Sequence, residues 1–141
     1  MSADDIIDLD LNIRTLVAVL NSFQGIHTVG SCGGHPNPGP GQDPEGSWSV
    51  SFQVDHSEDG WVALEWLVWL INNDYRRGGH EVFLGPYAPP PYLNTPGACL
   101  IFHLRGHNED PEALAQWTEQ QKAECYYTPA EWAAAEAADD C

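Results

Sequence analysis

Between Trp48 and Val54 the chain alternates without a break: Trp48, Val50, Phe52 and Val54 are large and apolar, while Ser49, Ser51 and Gln53 are polar. A period of two over this length predicts a β-strand with one buried and one polar face. A purely helical fold is thereby excluded. Ile26 to Ser31, short and rich in β-branched residues, predicts a strand before it. Cys32 to Ser47 holds five Gly and four Pro and can only be the loop between the two.

The other elements follow from helical spacing and end signals. Ile13, Leu16, Val17, Leu20 and Phe23 predict a first helix, with Asp10 or Asn12 as cap and Gly25 as stop. Ser57 or Asp59 opens a second, whose run from Trp61 to Ile71 has almost no polar face. One stripe of it is Trp61, Leu64, Val68 and Ile71; another is Val62, Trp66 and Trp69, so cover is needed on more than one side. Either the Pro-rich segment with Tyr87 and Tyr92, the C-terminal helix, or a second subunit in a homodimer supplies that cover.

Val82 and Leu84 mark a third strand, and Cys99 to Leu104 a fourth, joined by a stiff connection with Pro86, Pro89, Pro90, Pro91 and Pro96. Asp110-Pro111-Glu112 starts a third helix presenting Leu114 and Trp117, and Thr128-Pro129-Ala130-Glu131 is a capping box for an Ala-rich last one. The order predicts an α+β fold: two helix-strand-strand units forming a mixed or largely antiparallel four-stranded sheet with helices packed on it. Residues 1–141 are expected to make a single domain, with a core over about 11–125 and a helical extension over 126–141.

Five basic residues stand against 21 acidic ones, a formal charge of −16. Phosphate backbones are repelled, because non-specific nucleic-acid affinity comes from Lys and Arg displacing counterions, and anionic membrane surfaces are disfavoured for the same reason. The expected partners are a small-molecule ligand or a basic protein, not nucleic acid and not a membrane. The acidic start, Met1 to Asp10, is the reverse of a secretory leader, and Trp61 to Ile71 is far shorter than the roughly 20 apolar residues of a membrane span. A cytoplasmic protein without a structural disulfide among Cys32, Cys99, Cys125 and Cys141 is therefore expected.

Chemistry concentrates where the first strand enters its loop. Gly33 and Gly34 allow successive N–H groups to point at one anion, with Ser31 as a hydroxyl donor, or they simply make a turn. Cys32 and His35, three apart, can reach one metal ion, which His103 and His107 would complete if the first and fourth strands were neighbours. Cys32 activated by His35 or His103 is a candidate thiol nucleophile, against the plainer role of a packed residue. Arg105 suits a carboxylate or phosphate clamp, or an ordinary ion pair.

Gly25, Ile26, Thr28, Ser31, Cys32, Gly34 and His35 resemble the helix, Gly-Ile-x-Thr strand and Ser-Cys-x-Gly-His loop of a group of small phage and bacterial proteins. More distantly the pattern is similar to the wybutosine-synthesis methyltransferase family acting on transfer RNA, whose later strand carries a His in an apolar run, as Leu100-Ile101-Phe102-His103-Leu104 does here. His35 stands where that family has a basic residue. The resemblance implies a site at this loop, and the reading expected first is a binding protein that holds a small anionic or nucleotide-like ligand on Ser31, Cys32, Gly33, Gly34, His35, His103 and Arg105. Two others are an inhibitor of phage type that sets its acidic surface against a basic nucleic-acid-binding partner, and a thiol- or metal-dependent enzyme or methyltransferase relative. No cofactor is specified by these residues.

Overall fold

In the computed structural model, which describes residues 10–87 and 101–139, four strands form one antiparallel sheet. They are β1 (Ile26–Cys32), β2 (Ser47–Val54), β3 (Val82–Tyr87) and β4 (Ile101–His107). The helices are α1 (Arg14–Asn21), entered through a 3-10 turn at Leu11–Ile13, α2 (Glu58–Trp69), prolonged by a π-helical turn at Leu70–Tyr75, α3 (Pro111–Cys125) and α4 (Pro129–Asp139). No helix among the described residues is long and apolar enough to cross a membrane. Cys99, Leu100, Tyr92 and the Pro-rich connection beyond Tyr87 lie outside the described residues.

The sheet order is β1-β2-β4-β3, so each helix-strand-strand unit contributes a hairpin and the second strands of the two hairpins meet at the centre. The two halves are related by an approximate two-fold through the Ser51–His103 pair. Thr28 pairs with Phe52 and Leu84 with Leu104, one step along from that pair in each half. Both outer strands are finished alike. Asn21, at the end of α1, accepts from the Thr28 N–H at 2.9 Å and donates to its hydroxyl at 2.8 Å. Asn72, in the π-helical turn after α2, accepts from the Leu84 N–H at 3.0 Å and donates to the Leu84 carbonyl at 2.8 Å. A side-chain amide thus takes the place of a further strand and blunts the edge.

The alternation in β2 sorts the two faces of the sheet. Trp48, Val50, Phe52 and Val54 are buried beneath the helices with Ile26, Val82, Leu84 and Leu104, whereas Ser47, Ser49, Ser51 and Gln53 lie on the uncovered face. Phe52 and Phe102 stack across the central pair at 6.1 Å. Trp48 reaches across to Gly106, where an added Cβ would stand 2.5 Å from Cε2, and its Nε1 donates to the Glu109 carbonyl at 3.0 Å. Only glycine leaves room there for the indole.

The helix from Trp61 to Ile71 packs differently from the expected stripes. Its buried ridge is Gly60, Ala63, Leu67, Leu70 and Ile71, while Trp61 and Trp69 are largely exposed. Gly60 and Ala63 take the first two positions of that ridge, where a small residue lets the helix approach closely, and a periodicity counted on large apolar residues misses them. Trp66 is met within the chain by Tyr126, with ring centroids 5.2 Å apart, and Trp132 of α4 lines the same groove as Val62 and Trp69.

Three helix starts follow local chemistry. Ser57 accepts from Gly60 N–H, Asp110 from Glu112 N–H, and Thr128 and Glu131 bond reciprocally at 3.0 and 3.2 Å. The start of α1 departs from expectation, since neither Asp10 nor Asn12 caps it. Both side chains turn instead to the loop after β1.

Candidate functional site

Asp10 and Asn12 grip one residue, Gly33, from two sides. The Asp10 Oδ2 accepts from Gly33 N–H at 2.9 Å, and Asn12 Nδ2 donates to the Gly33 carbonyl at 2.8 Å. The anion that the glycine N–H was expected to attract is therefore the chain's own carboxylate. Gly34 follows with φ +93°, where a side chain would meet the Ser47 carbonyl, and the turn brings His35 back over the strand end. His35 N–H donates to the Asp43 carbonyl at 2.9 Å, and its Nε2 stands 3.4 Å from Asp10 Oδ2. From the far side of the loop, Asp43 N–H donates to Cys32 Sγ at 3.3 Å and the Asp43 carboxylate accepts from Ser49 Oγ at 2.5 Å.

The strand register places the remaining candidates. Cys32, Ser49, Arg105 and Phe83 form one row across the uncovered face, and Gly30, Ser51, His103 and Gly85 form the next. His103 is central, bonded to Ser51 Oγ at 3.1 Å and leaning on Tyr87 with ring centroids 5.5 Å apart. Beyond Ser51 the row ends at Gly30, where no atom lies within 4 Å of an added Cβ, while on the other flank the Phe83 ring covers Gly85. Burial first, and then the Arg105 guanidinium, hold the His103 imidazole below its ordinary pKa, with Asp43 opposing. His103 is thus a neutral donor or acceptor near pH 7.

Arg105 reaches out of the sheet with its guanidinium 5.6 Å from the Phe83 ring centre. On one side it shares a small slot of about 160 Å³ with Phe83, Tyr87 and His103. On the other it borders a cleft of about 500 Å³ whose walls include Arg76, His107, Ser47 and Asp43. Among the described residues no carboxylate lies within ion-pair distance of Arg105 or Arg76. His80, also on the cleft wall, is engaged by Glu109 at 2.8 Å and stacked on Tyr75.

The residues singled out in the sequence therefore divide. Cys32, His103 and Arg105 share the uncovered face, and His35 folds back beside Cys32. Ser31 does not join them: it pairs with Val50 in the row that faces the helices, because successive residues of a strand point to opposite sides. The Gly33 N–H is committed to Asp10 and so is not available to an external anion. The group that converges with Cys32 and His35 is Asp10, not His103 or His107. His107 bonds Ser47 at 2.9 Å on the cleft wall.

Three further contributors are not marked by any motif. In the sequence Asp10 has the look of a helix cap, Asp43 is one acid among many, and Arg76 is a surface residue after an apolar helix. Only the scarcity of basic residues draws notice to Arg76. Comparison with protein-family models, curated proteins and solved structures finds no match.

Proposed function

We propose that the protein is a small acidic binding protein that holds a small anionic, nucleotide-like ligand on the uncovered face of its sheet. The reading rests on one observation: in a chain with 21 acidic residues, Arg76 and Arg105 line one cleft and neither has a carboxylate partner among the described residues. Guanidinium groups without ion-pair partners among so many acids are what a site for a phosphate or carboxylate requires, since an ion pair would have to be broken before a ligand could bind.

The surroundings suit a ligand with one charged end and one planar end. The charged group goes to the cleft between Arg105 and Arg76, with the Ser47–His107 pair beside it. The planar group goes to the slot, against the exposed rings of Phe83 and Tyr87, with neutral His103 as hydrogen-bond partner. Asp43 on the same wall penalises polyanions, so the reading favours one or two phosphates over a nucleic-acid strand.

Thermal-shift and calorimetric titration with inorganic phosphate, nucleoside monophosphates and nucleoside diphosphates tests the reading. Binding by a nucleotide, weakened about tenfold or more in Arg105→Gln and in Arg76→Gln, is the expected result; each charge-assisted contact is worth about 1.5–3 kcal/mol. No binding at millimolar concentration, or binding indifferent to both substitutions, overturns it.

A further inference from the structure

We propose that Asp10, Cys32 and His35 form a binding site for one divalent metal ion of the zinc class. The inference is independent of the anion reading, which uses the opposite end of the Cys32–Arg105 row.

Three different segments supply the ligands: the residue before the first helical turn, the last residue of β1, and the loop that follows. A carboxylate oxygen, the thiol sulfur and an imidazole nitrogen all lie within 4.8 Å of one another. Each side chain is half-buried, so the point between them is open to an ion without being fully solvated. The donor set is specific in its chemistry. Sulfur and imidazole ligands select zinc, cobalt and related transition ions over magnesium or calcium, which prefer oxygen alone.

The spacing, that of an ion pair, is also compatible with a shared metal ion. His35 Nε2 and Asp10 Oδ2 stand 3.4 Å apart. A charge-assisted hydrogen bond closes to about 2.7–2.9 Å. Two ligand atoms each about 2.0–2.1 Å from a tetrahedral zinc ion are separated by roughly 3.3–3.4 Å, which is the edge of the tetrahedron. Imidazole and carboxylate are thus held at the distance two ligands keep.

The outer contacts resemble a supporting shell. Gly33 N–H orients the Asp10 carboxylate, Asn12 fixes the same residue through its carbonyl, and Asp43 N–H donates to the Cys32 sulfur, a contact that offsets part of a thiolate's charge. Metal binding takes Cys32 as thiolate and releases its proton to solvent, one proton per ion. Three protein ligands leave a fourth position for water or an exogenous donor. The −16 charge of the chain raises the local concentration of any divalent cation and strengthens the approach.

The same charge binds cations loosely at many places, so the decisive test must see the sulfur. Cobalt(II) chloride is titrated into the full chain, purified with chelator and then freed of it, while thiolate-to-cobalt charge-transfer absorption in the near-ultraviolet is followed. The wild type and a variant lacking the other thiols (Cys99→Ser, Cys125→Ser, Cys141→Ser) are expected to saturate at one cobalt per chain. One equivalent of zinc should displace it, and excess magnesium should not. Cys32→Ser should abolish the band, and His35→Gln and Asp10→Asn should weaken binding about tenfold or more, with the circular dichroism of each compared to the wild type. The wild-type titration decides even if a variant misfolds. Absence of the band up to millimolar cobalt, or a band that survives Cys32→Ser, overturns the site.

Discussion

Replacing Gly106 by alanine puts one methyl group where the Trp48 indole lies. The new Cβ would stand 2.5 Å from Cε2 and 2.8 Å from Nε1 of a side chain that is only 2% exposed. The indole cannot swing away freely, because its Nε1 donates to the Glu109 carbonyl at 3.0 Å and the helix-covered face is packed around it. Overpacking of this kind costs about 1–3 kcal/mol. If the ring retreats far enough to lose its hydrogen bond, a buried unpaired donor adds about 1–3 kcal/mol, so a total of about 2–6 kcal/mol is expected. At roughly 3 °C per kcal/mol for a chain of this size, Tm should fall by about 6–18 °C.

The internal control is Gly30→Ala, in the same sheet but on the uncovered face. No atom lies within 4 Å of an added Cβ there, and the residue is not in a positive-φ conformation. Alanine at such a position stabilises by about 0.4–1 kcal/mol through the unfolded chain. Urea unfolding followed by far-ultraviolet circular dichroism measures both variants without relying on the tryptophan that is perturbed. Equal stability changes for Gly106→Ala and Gly30→Ala would refute the reasoning, since the clash with Trp48 is what sets the two substitutions apart.

Four further outcomes are expected. As pH falls, the unfolded chain protonates His103 before the folded one does, so the contribution of this histidine to stability is intact above its ordinary pKa of 6.5 and is lost on the way down to the lower folded value. Denaturation across that range should be less acid-sensitive in His103→Gln, and the wild-type imidazole should titrate below 6.5 by NMR. Asn72→Ala leaves the Leu84 N–H and carbonyl at the sheet edge without the amide that pairs them, and should cost about 1–3 kcal/mol in urea unfolding. The Thr128 N–H does most to hold the Glu131 carboxyl below its ordinary pKa and the Thr128 side chain adds to it, so Thr128→Ala, which keeps the first and removes the second, should let that pKa rise only part of the way back, as a carboxyl NMR titration would report. Filter binding should show no affinity for duplex DNA or transfer RNA at physiological salt, since five basic residues stand against 21 acidic ones and Lys122 is already bonded to Ser22; micromolar, salt-sensitive binding would contradict this.

Features governed by near neighbours in the chain are legible in the sequence by itself. The alternation from Trp48 to Val54 identifies a strand with one polar face, and the caps at Ser57, Asp110 and Thr128 depend on residues two or three positions on. The element order, with two like units, leads to an α+β fold with a mixed or largely antiparallel sheet, and it places Cys32, His103 and Arg105 on strands or strand ends. What cannot be read there is any choice between two local uses of one group. Asp10 can cap a helix or reach a glycine 23 residues away, and only the packing of α1 against β1 brings Gly33 within its range. Ser31 and Cys32 are adjacent in sequence, yet strand geometry sends one under the helices and the other to the uncovered face. Arg76 follows the π-helical turn Leu70–Tyr75 and lines the cleft, and no motif in the sequence around it announces either the change of winding or the cleft. Local propensity and pattern determine the elements, whereas partners distant in sequence are chosen by the free energy of the whole packed arrangement, so tertiary structure alone decided which side chains converge.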